Sequence, residues 1–177
     1  PPRFVTQREW AESDSRWMGQ RKVKVIMPKV NRILVAICFS EYCTDTFTYA
    51  AQLALQLQAE LMVANVINVR DVHAISTIES MGYAVSAENY VKAIREERKG
   101  QLQNMIADSG FPKEKIKSVF RVGYPLEELI RVVEEEKIDL VVMGSKGRSD
   151  HPRLLVGSVA ERMFRHSPVS VLFYRET

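Results

Sequence analysis

Glycines, a serine and basic residues crowd one stretch, Gly144-Ser145-Lys146-Gly147-Arg148-Ser149-Asp150-His151-Pro152-Arg153-Leu154-Leu155-Val156-Gly157-Ser158, and together they suit an anion site. Gly144 and Gly147 bring no Cβ and can take positive φ, so the main chain can curl and turn its N–H groups onto a phosphate. After nine further residues comes Gly157-Ser158, with Ser158 expected as the N-cap of a helix that continues through Val159-Ala160. The first N–H groups and positive dipole end of such a helix favour negative charge. Lys146, Arg148 and Arg153 add cations, and Asp150 opposes them. A ligand-free account uses the same residues, since Ser158-Val159-Ala160-Glu161 is a capping box that satisfies the donors internally.

Other chemistry finds less support. The three histidines, His73, His151 and His166, are scattered, and no catalytic triad, carboxylate pair or metal-ligand spacing emerges. The chain has no Gly-x-x-x-x-Gly-Lys-[Ser/Thr] loop, and the turn after its first apolar strand has no glycine, so neither a P-loop enzyme nor a dinucleotide enzyme is indicated. No catalytic residue and no metal ligand is assigned. Cys38 and Cys43 are the only cysteines, and free thiols in a reducing compartment are the default for them. Cys38 reads as an apolar filler before it reads as a reactive thiol, because a low-pKa cysteine needs a cationic neighbour.

The whole pattern is more specific than its parts. Val141-Val142-Met143 before Gly144, the Gly-x-x-Gly, nine-residue and Gly-Ser spacing, then Val159-Ala160-Glu161 and His166-Ser167-Pro168-Val169, resembles the nucleotide-binding signature of the universal stress protein family. The resemblance covers Asn31 to Arg175. It implies a small α/β domain that binds ATP or AMP in a cleft and dimerises. It further implies that Gly144, Gly147, Gly157 and Ser158 hold phosphates, with Met143, Lys146, Arg148 and Val159 beside them. The main chain at Ile37 and Val66 would then frame the base, near Cys38 and Ser40. One position departs from the family pattern: members commonly carry Asp where this chain has Cys38, while Ser40 keeps the serine. A thiol is a weak, uncharged hydrogen-bonding group and does not replace a carboxylate.

The elements that must position these residues follow from periodicity. Apolar runs at Arg32–Ile37, Leu61–Ile67, Ile116–Val122, Asp139–Met143 and Pro168–Tyr174 read as strands. Between the first and second strands lies a helix with Phe47, Ala50, Ala51, Ala54, Leu55 and Leu57 on its apolar side. Asn68–Asn89 reads as a long irregular stretch. Glu88–Asp108 reads as a polar helix, with Arg95-Glu96-Glu97-Arg98-Lys99 as its solvated face and Gly110 as its stop. Leu126–Glu136 reads as the next helix. Alternating strands and helices specify an α/β fold with a mostly parallel sheet and helices on both faces, and five units suggest a five-stranded parallel doubly wound sheet of order 3-2-1-4-5. Strands one and four then meet at the switch point, and the Ile37-Cys38 and Gly144–Ser158 segments share one crevice.

Length, composition and charge set the remaining bounds. The chain has 177 residues, 46% of them hydrophobic, which suits one domain at 31–177 behind a basic N-terminal extension at 1–30. Residues 1–32 hold eight Lys and Arg against three acids, a net +5, and the rest of the chain holds 17 basic and 19 acidic residues, a net −2. The domain itself therefore lacks the positive excess of a nucleic-acid binder. Within the extension, Thr6–Glu9 forms a capping box, and Trp10 and Trp17, seven apart, would share a helix face that docks on the domain or on a second subunit. No apolar run reaches a bilayer's thickness and no secretory signal is evident, so the expected location is the cytoplasm. The function expected is an adenine-nucleotide-binding stress-response dimer, joined through the Val169–Tyr174 edge, with at most slow ATP hydrolysis using Mg²⁺ carried by the phosphates. The alternative is a protein-interaction module of the same fold that binds no nucleotide and meets an unidentified protein partner.

Overall fold

The computed structural model describes residues 29–40, 42–147 and 156–175. The expected Trp10/Trp17 helix, and Arg148, Asp150 and Arg153, lie outside the described residues. Each apolar run becomes a strand: β1 (Arg32–Ala36), β2 (Glu60–Asn68), β3 (Ile116–Gly123), β4 (Leu140–Gly144) and β5 (Ser170–Tyr174). Between them run helices α1 (Cys43–Leu57), α2 (Val69–Ser80), α3 (Ala87–Ser109), α4 (Pro125–Glu135) and α5 (Ser158–His166). The strands are all parallel and lie in the order β3-β2-β1-β4-β5, the doubly wound arrangement expected from their alternation with helices.

Burial explains why the middle strands are almost wholly apolar. Ile33 and Val35 of β1 face α1 and α3, packing with Phe47, Ala50, Leu102 and Met105. Leu34, one residue out of phase, faces the opposite layer with Leu129, Val133 and Met163 from α4 and α5. The period-2 alternation of a strand thus feeds two cores, and β1, covered on both sides, has no solvent-facing position in its centre.

Three expectations need correction, the first being Leu55 and Leu57, which are exposed on α1 and not part of its buried side. The 68–89 stretch is not irregular: α2 occupies most of it, capped by Asn68, whose side-chain oxygen accepts from Arg70 N–H at 3.1 Å. Its apolar stripe is narrow, only Val69, Val72 and Ile75 being part-buried, and none of its residues is fully buried, so the helical period is faint in the sequence. The expected wet face of α3 is also wrong at one position. Arg98 is buried, its guanidinium donating from Nη1 to Asn65 Oδ1 at 2.8 Å and lying 6.0 Å from the Phe39 ring centroid.

Asn65 ties that network to the sheet. It is the buried polar residue of β2, and its Nδ2 donates to the Ile37 carbonyl at 2.7 Å, just beyond the end of β1. The Asn65→Ala change would leave that carbonyl without this donor and remove an acceptor from a buried guanidinium. Unmade buried bonds of this kind cost about 1–3 kcal/mol each. Urea unfolding of Asn65→Ala should therefore show a stability loss of about 2–4 kcal/mol, with an unchanged denaturant slope.

Candidate functional site

Because β1 and β4 are neighbours, paired from Ile33↔Leu140 to Ala36↔Met143, their carboxyl ends open side by side. Their continuations diverge, β1 feeding α1 on one layer and β4 leading to α5 on the other. A crevice of about 220 Å³ lies between them. Cys38, Ser40, Tyr42, Cys43 and Thr46 come from the β1 side, and Met143, Gly144, Lys146 and Gly147 from β4. Gly157, Ser158, Val159 and Ala160 come from the start of α5; Val66 and Asn68 of β2 with Pro125 and Leu129 of α4 complete the wall. Of the described residues singled out in the sequence, all but Ile37 line this crevice. Ile37 is buried behind the wall, its N–H bonded to Ala64 O and its carbonyl held by Asn65. Arg148 lies outside the described residues.

Hydrogen bonds pin the base of the β4–α5 connection. Ser145 N–H donates to Tyr174 O at 2.9 Å and Gly157 N–H donates to Ser145 O at 2.8 Å, so the start and end of the connection meet. The glycines do not act as the sequence suggested, since neither Gly144 nor Gly147 takes positive φ. Space is the reason at Gly144: a Cβ there would lie 3.2 Å from Lys146 O and 3.4 Å from Thr46 Oγ1. At Gly147 a Cβ would sit 4.0 Å from Cys38 Sγ, bringing the two sides of the crevice into contact.

The start of α5 also differs from the expected cap. Gly157, extended at φ −69°, ψ 150°, is the N-cap, and Ser158 is already the first helical residue. The Ser158–Glu161 capping box does not form, because Glu161 Oε1 instead accepts from Arg165 one turn on, at 2.8 Å. Glu161 N–H closes the first intrahelical bond, to Gly157 O. The N–H groups of Ser158, Val159 and Ala160 precede that bond, have no intrahelical acceptor, and belong to residues that line the crevice. The arrangement offers backbone donors and a helix dipole to an anion, as the stretch's composition indicates.

On the β1 side the chain reverses at Phe39, whose φ of 58° is left-handed, a costly conformation for an aromatic residue. The reversal brings two thiols together. Cys38 N–H donates to Cys43 Sγ at 3.2 Å, the two sulfurs are 3.6 Å apart, and Cys38 Sγ donates to Ser40 Oγ at 3.4 Å. The sulfur–sulfur hydrogen bond with Cys38 pushes the Cys43 thiol well above the usual cysteine range and burial adds to the effect, outweighing the Cys38 N–H and Ser40 bonds, which act the other way. Opposite, Lys146 Nζ sits 5.6 Å from the Tyr42 ring centroid, which holds a cation at the crevice wall.

The sequence did not point to Ala36, Tyr42, Cys43, Thr46, Asn68, Pro125 or Leu129 as lining residues. Tyr42 and Thr46 carried a usable signal, being four apart at the start of a helix that follows the first core strand, where both point one way. Among the described residues no cluster of three His, Cys, Asp or Glu side chains is placed to hold a metal ion. Nor is any helix long and apolar enough to cross a membrane among those residues.

Comparison with known proteins agrees with this architecture. The family model described as "Universal stress protein family" matches residues 29–175. Universal stress protein MJ0577 of Methanocaldococcus jannaschii is 36% identical over 89 residues, which are 48% of this chain and 53% of that protein. The solved structure of MJ0577 superposes with a TM-score of 0.69 at 25% identity, covering 84% of this chain and 98% of that one. Universal stress protein YxiE of Bacillus subtilis is 27% identical over 149 residues, 82% of this chain and 99% of its own. A universal stress protein solved in complex with cAMP shares the fold, with a TM-score of 0.57 at 24% identity over 84% of this chain and 99% of that one.

The raised Cys43 thiol has a consequence for stability. The unfolded chain loses that proton near pH 8.5 and the folded chain keeps it to higher pH, so its contribution is complete below about pH 8.5 and declines above it. The decline for one such group is at most about 1.4 kcal/mol per pH unit. Urea unfolding between pH 8 and 10 should show a steeper loss for the parent than for Cys43→Ser. Parallel curves would contradict the assignment.

Proposed function

The chain belongs to the universal stress protein family, and on that premise we propose that it binds an adenine nucleotide, ATP or AMP, in the crevice between β1 and β4. One observation carries the reading: the uncapped first turn of α5 and the glycine-bearing end of β4 meet in a single hollow, with Lys146 on its wall. Phosphates are recognised by this combination of main-chain donors, helix dipole and cation. The solved family member in complex with cAMP supports the ligand class. In this reading Gly144, Gly147, Gly157, Ser158 and Val159 contact phosphates, assisted by Lys146 and Arg148, while Val66, Met143, Cys38 and Ser40 border the sugar and base. Ile37 acts from behind, through the Asn65 hydrogen bond that sets the end of β1.

Magnitudes limit the proposal. Sites for drug-sized ligands usually enclose about 300–1,000 Å³, more than the 220 Å³ here. The crevice therefore takes part of a nucleotide, and the remainder lies across its mouth. No Asp or Glu is among the described residues of the wall, so any Mg²⁺ would be held by the phosphates. In this reading the protein acts by binding, as a regulatory component of a stress response. The exposed edge of β5, with Phe164 77% exposed beside Phe173, suits pairing with a second copy.

A second reading, an interaction module without nucleotide that meets a protein partner, is favoured by Cys38, which supplies no carboxylate for the ribose or base.

Calorimetry of nucleotide-stripped protein should show binding of at least one of ATP, ADP and AMP. Gly144→Val, which puts a branched side chain against Lys146 O and Thr46, should weaken it more than tenfold while circular dichroism stays native. Lys146→Ala should weaken it by about tenfold, the worth of roughly one charge-assisted hydrogen bond. A folded parent that binds none of the three points to the interaction module. Sedimentation should find a two-chain particle, and Phe164→Asp should shift it toward one chain.

A further inference from the structure

Neither the family membership nor the nucleotide reading uses the contact between the two thiols. We propose that Cys38 and Cys43 are a modification site: a dithiol that a hydroperoxide converts to an intramolecular disulfide and that a dithiol reductant restores. The sulfurs are already 3.6 Å apart, against a bonded distance of about 2.05 Å. Cys38 N–H donates to Cys43 Sγ, and the left-handed Phe39 holds the reversal that faces one thiol to the other. The pair is therefore aligned before any oxidant arrives.

The two thiols differ in the ways the chemistry requires. Both thiols line the crevice, but Cys38 is part-exposed, so a small peroxide can reach it, whereas Cys43 is buried. Lys146 lines the same crevice and puts a cation on its wall, the kind of neighbour a thiolate needs. In the first step the Cys38 thiolate attacks one peroxide oxygen. The O–O bond breaks, Cys38 becomes a sulfenic acid, and the other oxygen leaves as alcohol or water after taking a proton. In the second step the Cys43 sulfur attacks the Cys38 sulfur. The S–S bond forms, the S–O bond breaks, and the Cys43 proton leaves with the hydroxyl as water. Two thiols and one hydroperoxide thus give one disulfide, one alcohol or water, and one water.

The test is covalent and independent of nucleotide, so its failure and the failure of the nucleotide reading are separate results. Full-length protein is treated with equimolar hydrogen peroxide, alkylated with iodoacetamide and digested for mass spectrometry. The expected result is one cross-linked peptide joining Cys38 to Cys43, a fall of at least tenfold in alkylation of both, and full recovery after dithiothreitol. In Cys43→Ser, Cys38 should instead accumulate sulfenic acid that dimedone traps, at least tenfold more than in the parent. The proposal is overturned if both cysteines of the oxidised parent remain alkylatable. It is equally overturned if Cys38 proceeds to sulfinic acid while Cys43 still alkylates, or if dimedone labels parent and variant alike.

Discussion

The structure depends most on the parallel pairing of β1 with β4. In a doubly wound sheet the helices that follow the strands change layer at the switch point. Here β1 sends its helix to one layer and β4 sends its helix to the other, and the chain segments leaving them part at the carboxyl edge. No side chain has to create the crevice, which is a consequence of strand order. What the local sequence decides is whether the gap is lined by backbone donors or filled by side chains. Glycine at 144, 147 and 157 leaves it open, and the shift of the cap from Ser158 to Gly157 leaves the first N–H groups of α5 without a side-chain acceptor from that residue.

A second constraint sits behind the crevice. The Ile37 carbonyl follows the end of β1, where no strand neighbour is assigned to receive it, and Asn65 reaches from β2 to bond it. Arg98 from α3 bonds Asn65 in turn and lies over the Phe39 ring. This chain of contacts runs from α3 to the residue whose left-handed backbone folds Cys38 toward Cys43. The conformation at Phe39 costs on the order of 1–2 kcal/mol, and packing of its ring against the α1–α3 core offsets that cost.

How much of this was legible depends on where the signal lay. Buried strands such as Leu140–Met143 announce themselves as apolar runs, and five of them alternating with helices suggest the doubly wound order that the structure shows. The convergence of residues near 38 with residues 144–147 and 157–159 followed from that order. The helix over 69–80 was hidden because only Val69, Val72 and Ile75 mark its inner face amid polar neighbours. Arg98 looked solvated because its neighbours Glu96, Glu97 and Lys99 are; its burial depends on Asn65, 33 residues away in sequence. The Phe39 turn was illegible in principle, since an aromatic residue disfavours the very backbone it adopts, and only tertiary contacts hold it there. The cap at Gly157 differs by one residue from the pattern read, and that one residue decides whether the donors are satisfied or available.

The central claim is that the main chain at the ends of β4 and α5 receives an anion. The most direct measurement is an amide ¹H–¹⁵N spectrum recorded while ATP is added. The account predicts saturable shifts concentrated at Gly144, Lys146, Gly147, Ser158 and Val159, with smaller ones at Cys38 and Val66. Shifts confined to other surfaces, or an unchanged spectrum at millimolar nucleotide, would contradict it.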